Sequence, residues 1–116
     1  MIGFLRRRFM LVTVRGDSMM PTLRPDQRVL VRLGRPFSAD DVVVFRTAAE
    51  HVSLMIKRVA AAPGEAVPDD MRDVVGDVVV PDGFVLVRGD NPLSVDSRTF
   101  GYLPADAVVG LVRTPK

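Results

Sequence analysis

The chain has 116 residues, a formal net charge of +2, 47% hydrophobic residues and 26% charged ones, which suits one domain and argues against long disorder. Two surplus charges do not make a nucleic-acid-binding face, and aromatics at 6% leave few base-stacking platforms. With no Cys and a single His, His51, the chain lacks disulfides, thiolate metal sites, cysteine nucleophiles and histidine-rich metal centres.

The first apolar run, from Met1 to Leu5, is interrupted by Arg6, Arg7 and Arg8, and the next ends at Arg15. A membrane-spanning helix needs about 20 mostly apolar residues. A secretory signal needs basic residues first, then about 7–15 apolar ones and a small-residue cleavage site. Neither pattern is present, so the reading is a soluble chain. Surface attachment through Phe4, Phe9, Met10 and the three arginines stays open, because apolar and basic side chains together suit an anionic interface.

Val-rich runs at residues 9–15, 28–32, 41–46, 52–60, 77–80, 84–88 and 108–113 are bounded by Pro, Gly and Asp and predict strands. The runs at 28–32 and 84–88 have continuous apolar centres, the pattern of strands buried on both faces. Residues 38–41, with a Ser N-cap, and 104–107, with Pro near the start, predict helical turns. The polar stretch 68–76 predicts an exposed loop. The expected architecture is all-β: a single domain over residues 1–116, with residues 1–8 a flexible N-terminal segment.

Three segments are unlike ordinary sheet turns. In Gly16-Asp17-Ser18-Met19-Met20-Pro21-Thr22-Leu23 a strand runs into a bend carrying a Ser beside a flexible Gly, where peptide N–H groups can face a reacting carbonyl. The bland alternative is a polar turn with a capping Ser. In Leu54-Met55-Ile56-Lys57-Arg58-Val59, Lys57 stands among apolar residues. Of the 16 basic residues only Lys57 and Lys116 are lysines, leaving 14 arginines. Arginine stays protonated, whereas a desolvated lysine can lose its proton and act as a base. The bland alternative is a lysine whose head reaches solvent at a strand edge. The third segment, Gly89-Asp90-Asn91-Pro92-Leu93-Ser94-Val95-Asp96-Ser97-Arg98-Thr99-Phe100-Gly101, is dense in side chains that bond to nearby backbone. Asp96 and Arg98 can pair, and Ser94 or Ser97 can meet an amine; the alternative is a surface loop.

In this order the three segments resemble the boxes of the bacterial type I signal peptidase family, serine peptidases with a Ser–Lys dyad. Gly16 to Thr22 resembles the nucleophile box. Ile56-Lys57-Arg58-Val59 with Pro63-Gly64-Glu65 resembles the lysine box, and Gly89-Asp90-Asn91 with Ser94 to Arg98 and Gly101 the last box. The resemblance implies a small domain of antiparallel sheets forming a partly open barrel, like signal peptidases and repressor-type proteases. It implies Ser18 as nucleophile, Lys57 as general base, Ser94 as the partner that orients the amine, and Asp96 with Arg98 as a supporting ion pair. Gly16 occupies a position where some members carry an extra oxyanion-donating Ser, which leaves the oxyanion to backbone N–H groups, that of Ser18 included. Val14, Met19, Leu23, Met55 and Ile56 are the implied lining of shallow apolar pockets for small side chains.

A Ser hydroxyl needs a base to become a nucleophile. His51 lies in the polar stretch Glu50-His51-Val52-Ser53, with no motif carboxylate to orient it, so Lys57 is the better candidate. The implied function is removal of an N-terminal leader or signal peptide after small residues, without metal or other cofactor and without nucleic acid. The partner is a precursor protein or peptide. Typical members carry N-terminal membrane anchors, whereas none is read in this sequence, and its spacer Pro92-Leu93 is short. These features resemble the compact branch of nickel-type superoxide dismutase maturation proteases, which implies a cytoplasmic location, peripheral at most. The competing functions are a self-cleaving repressor-type protease domain and a catalytically idle β-domain serving as a binding or scaffold module.

Overall fold

The computed structural model describes residues 8–34, 36–47 and 54–113. Seven strands form one sheet in the spatial order β1-β2-β7-β3-β4-β5-β6, every neighbour antiparallel. They are β1 (Phe9–Thr13), β2 (Arg28–Leu33), β3 (Val42–Arg46), β4 (Leu54–Ala61), β5 (Phe84–Arg88), β6 (Leu103–Pro104) and β7 (Val108–Val112). The sheet curls into a half-barrel, in agreement with the all-β, partly open barrel expected from the sequence.

Curling the sheet divides its apolar side chains into adjoining clusters. Val14, Met19 and Leu23 pack with Val29, Val31, Val44 and Val112 at one end. Val43, Phe45, Val59, Val85 and Val87 form the centre. Beyond them, Ala61 and Leu86 are covered by Val67, Met71 and Val80 from the segment between β4 and β5. That covering segment explains why β5 buries Val85, Leu86 and Val87 on both faces, as its apolar centre predicts. β2 departs from the same expectation: Val29 and Val31 are buried, but Leu30 is 43% exposed. Leu30 stands opposite Leu11 of the edge strand β1, on a face that no described segment of the chain covers.

Three local expectations are corrected. Residues 77–80 form no strand; Val79 makes an isolated bridge to Ala66. The stretch expected to be an exposed loop at 68–76 contains a 3-10 turn, Asp69–Met71, and the helical turn α1 (Arg72–Val75), with Met71 fully buried as the anchor. Residues 38–41 form a turn rather than a helix, closed by the Asp41 carboxylate accepting from the Ser38 N–H at 2.9 Å. A second helical turn, α2 (Ser97–Phe100), starts where the Asp96 carboxylate caps the Arg98 N–H. The 3-10 turn Ala105–Ala107 forms where Pro104 predicts one. Residues 1–7, which hold most of the expected N-terminal segment, lie outside the described residues.

Candidate active site

Ser18 sits in the loop between β1 and β2. The loop is pinned at its base by the Val14 N–H donating to Gln27 O and the Asp26 N–H donating to Val14 O, both at 2.8 Å. Its descent is anchored by Met19 and Leu23, 1% and 0% exposed. Gly16 supplies the left-handed residue of the bend, at φ +72°. The neighbouring Ser18 lines a cavity of about 350 Å³ with Val12 to Arg15, Met19, Thr47 and the consecutive β4 residues Leu54, Met55, Ile56 and Lys57.

Lys57 is 2% exposed. It stands opposite Val43 of β3, on the strand face that also carries Met55 and Val59. Burial lowers its pKa below the ordinary lysine value; the negative charge of Asp96 opposes this and the positive charge of Arg98 adds to it. A neutral amine therefore becomes accessible closer to neutrality than for a solvated lysine.

The fully buried Asp96 organises the third segment. Its Oδ2 accepts from Ser94 Oγ at 2.6 Å, Arg98 Nη2 at 2.7 Å and the Gly89 N–H at 2.8 Å. Its Oδ1 accepts from Arg98 Nε at 2.9 Å and the Arg98 N–H at 3.1 Å. Burial alone would raise this carboxyl, but the bonds from Arg98, Ser94 and Gly89 outweigh it and hold Asp96 well below the usual carboxylate range. The Ser94 proton is thus committed to Asp96, and its oxygen, which accepts from Arg98 Nη2 at 3.4 Å, keeps a second lone pair for an amine.

Residues without an assigned role in the sequence reading join these pieces. Asp90 accepts from Arg58 Nε and Nη2, each at 2.8 Å, and from Thr22 Oγ1 at 2.5 Å. The residue after Lys57 is thereby tied to the Ser18 loop. The Asn91 N–H donates to Ser18 O at 2.8 Å, and Asn91 Nδ2 to Asp17 O at 3.1 Å. Gly89 lies so close beneath them that a Cβ there would stand 2.2 Å from Ser94 Oγ and 2.6 Å from Ser18 O. The sequence signals for these residues are the triplet Gly89-Asp90-Asn91 and the places of Thr22 and Arg58 inside the other two segments; Arg58 and Asp90 are 32 residues apart and only the fold pairs them.

Of the expected pocket residues, Val14, Met19, Met55 and Ile56 line the cavity with Ser18 and Lys57, while Leu23 lies under it in the core. Gly16 is exposed and faces open space. Ser94, Asp96 and Arg98 stand outside the lining, and the last two act on Lys57 through their charges. His51 and its polar neighbours Glu50 and Ser53 lie outside the described residues. Among the described residues no helix is long and apolar enough to cross a membrane.

Mitochondrial inner membrane protease subunit 2 of Saccharomyces cerevisiae is 30% identical over 112 residues, covering 86% of this chain and 63% of its own length. Subunit 1 from the same yeast is 33% identical over 118 residues, with 84% and 62% covered. Signal peptidase I of Bacillus caldolyticus is 29% identical over 138 residues, with 85% and 74% covered. The chain thus spans a little under two thirds of the length of the mitochondrial relatives. Their names place those proteins at a membrane, and this overturns the cytoplasmic location expected from the sequence. The family described as signal peptidase, peptidase S26, matches along residues 2–72 and 67–115, and the chain belongs to it.

Proposed function

We propose that the chain is a serine endopeptidase that removes N-terminal leader peptides from precursor proteins. Ser18 is the nucleophile and Lys57 the general base. The observation that carries the reading is that a buried lysine with a lowered pKa lines the same apolar cavity as a serine on a tight bend. Neutral Lys57 Nζ takes the Ser18 hydroxyl proton as Oγ bonds to the scissile carbonyl carbon. The tetrahedral oxyanion is held by backbone N–H groups, that of Ser18 among them. Collapse breaks the C–N bond, and the Lys57 ammonium gives its proton to the departing amine. Water, deprotonated by Lys57, then attacks the ester carbonyl, releases the leader and restores Ser18. Ser94 orients the amine by accepting one of its protons, while Asp96 and Arg98 hold Ser94. A cavity of about 350 Å³ between β1 and β4 suits small apolar side chains before the cut.

Purified chain is incubated with a precursor bearing small residues before the cleavage site, and the new N-terminus is sequenced across a pH series. kcat/KM rises on an alkaline limb whose midpoint lies below 10.5, the ordinary lysine value. Ser18→Ala abolishes cleavage. A profile governed only by an acidic group, or full activity of Ser18→Ala, removes the dyad.

The place of action in this reading is a membrane surface, as the names of the relatives suggest. Phe9, Leu11 and Leu30 are 44%, 61% and 43% exposed, and share one face of β1–β2 with Arg28 and Arg32. Failure to pellet with anionic liposomes at low salt removes this part. Dedication to a single precursor, as the resemblance to nickel-type superoxide dismutase maturation proteases implies, is a narrower form that rests on the short Pro92-Leu93 spacer. Equal cleavage of unrelated leaders ending in small residues argues against it.

A further inference from the structure

A second cavity, about 570 Å³, opens across the β3–β4 ends from the Ser18 cavity. Thr47 and Met55 line both. Phe45, 1% exposed, is buried against it, and Phe100, 40% exposed, and Tyr102 stand on the far wall. That wall is held in place: Tyr102 Oη donates to Asp77 Oδ2 at 2.8 Å, and its ring packs on Phe84 with centroids 5.4 Å apart. Burial, followed by the bond to Asp77, pushes the Tyr102 phenol up to about 12, so the hydroxyl stays a donor through the working pH range. The exposed Arg46 also lines the cavity.

On β4, Met55 lies two residues before Lys57 and points to the same face. At about 3.3 Å per residue, the shared wall at Met55 stands about 7 Å along the strand from the backbone position of Lys57. An extended polypeptide advances by the same rise, so a chain cut at Ser18 reaches this groove two to four residues from the cut. We infer that the groove is an additional subsite for the substrate polypeptide, taking one bulky apolar or aromatic side chain at that separation. The positive charge of Arg46 favours an acidic residue beside it. Selectivity then has two parts: small side chains next to the cut and one large apolar side chain further away.

This inference rests on the peptidase reading, and the test separates the two. In a peptide with small residues flanking the cut, a single Phe replaces Ser at each position from the fourth residue before the bond to the fourth after it. At one position two to four residues from the cut, Phe raises kcat/KM at least fivefold in the wild-type chain. Phe100→Ala, and Ala107→Phe, which fills the groove, each abolish that gain while cleaving the all-Ser peptide at the wild-type rate. A flat scan, or a gain that survives both variants, overturns the subsite and leaves the peptidase standing. If no peptide is cleaved, the peptidase reading falls instead. Anisotropy of the labelled Phe peptides on Ser18→Ala, with and without Phe100→Ala, then decides the groove: fivefold tighter binding that needs Phe100 supports it, and equal binding sinks it.

Discussion

Lys57 shows why residue type and burial have to be read together. Lys57 is 2% exposed and shares its strand face with Met55 and Val59, opposite Val43, and burial lowers its pKa in the fold. The unfolded chain then binds a proton that the folded chain does not, so stability rises with pH from the lowered folded value up to about 10.5 and levels off above it. Lys57→Met removes that slope and raises the melting temperature at neutral pH; melts at three pH values between 6 and 11 check both effects. The same variant loses at least about 100-fold in kcat, the lower bound for a general base. Lys57→Arg loses as much, because a guanidinium keeps its proton. Asp96 behaves in the opposite sense. Its carboxyl is depressed in the fold, so its contribution is complete above the ordinary carboxylate pKa of 3.8 and is lost as pH falls toward the lower folded value. Asp96→Ala strands the partly buried Arg98 charge and destabilises by about 3 kcal/mol at pH 7. Urea melts show this penalty shrinking at pH 3.

The elements divide by what holds them. β1 through β5 and β7 are legible in the sequence because alternating or continuous Val-rich runs bounded by Gly, Pro and Asp have few other ways to bury their side chains. The run at 77–80 has the same composition and yet forms only one bridge, since it pairs with the short non-strand segment 64–67 and leaves Val78 and Val79 66% and 52% exposed. The turns at 69–75 and 97–100 were missed because one buried Met71 and one capping carboxylate define them, not a periodic pattern. The loop from Gly89 to Arg98 is shaped by close approach. A Cβ at Gly89 would drive Ser94 and the Ser18 carbonyl apart. Gly89→Ala therefore retains strand-type far-UV dichroism, loses about 1–3 kcal/mol of stability, and drops kcat/KM by about 100-fold, the usual consequence of ångström-scale misplacement. Wild-type turnover by this variant would show that the close approach of Gly89 to Ser94 and the Ser18 carbonyl does not set the geometry of the site.

At the scale of the whole molecule, the last of the described strands occupies an interior place in the sheet. β7 pairs with β2 on one side and β3 on the other, and a Cβ at its Gly110 would meet Arg32 O at 2.5 Å. Truncation after Ala107 leaves two internal edges unpaired and uncovers Val31 and Val44. The shortened chain fails to give a cooperative melt. The sequence by itself determined the strand-rich class, the Ser, Lys and Asp–Arg segments and their order, because these depend on residue type and local spacing. It did not determine that Leu23 lies beneath the cavity, that Thr22 and Arg58 meet on Asp90, or that Met55 and Thr47 separate two cavities. Those depend on the curl and register of a sheet whose neighbours are far apart in the chain, and each arises only when distant strands bury their apolar faces together.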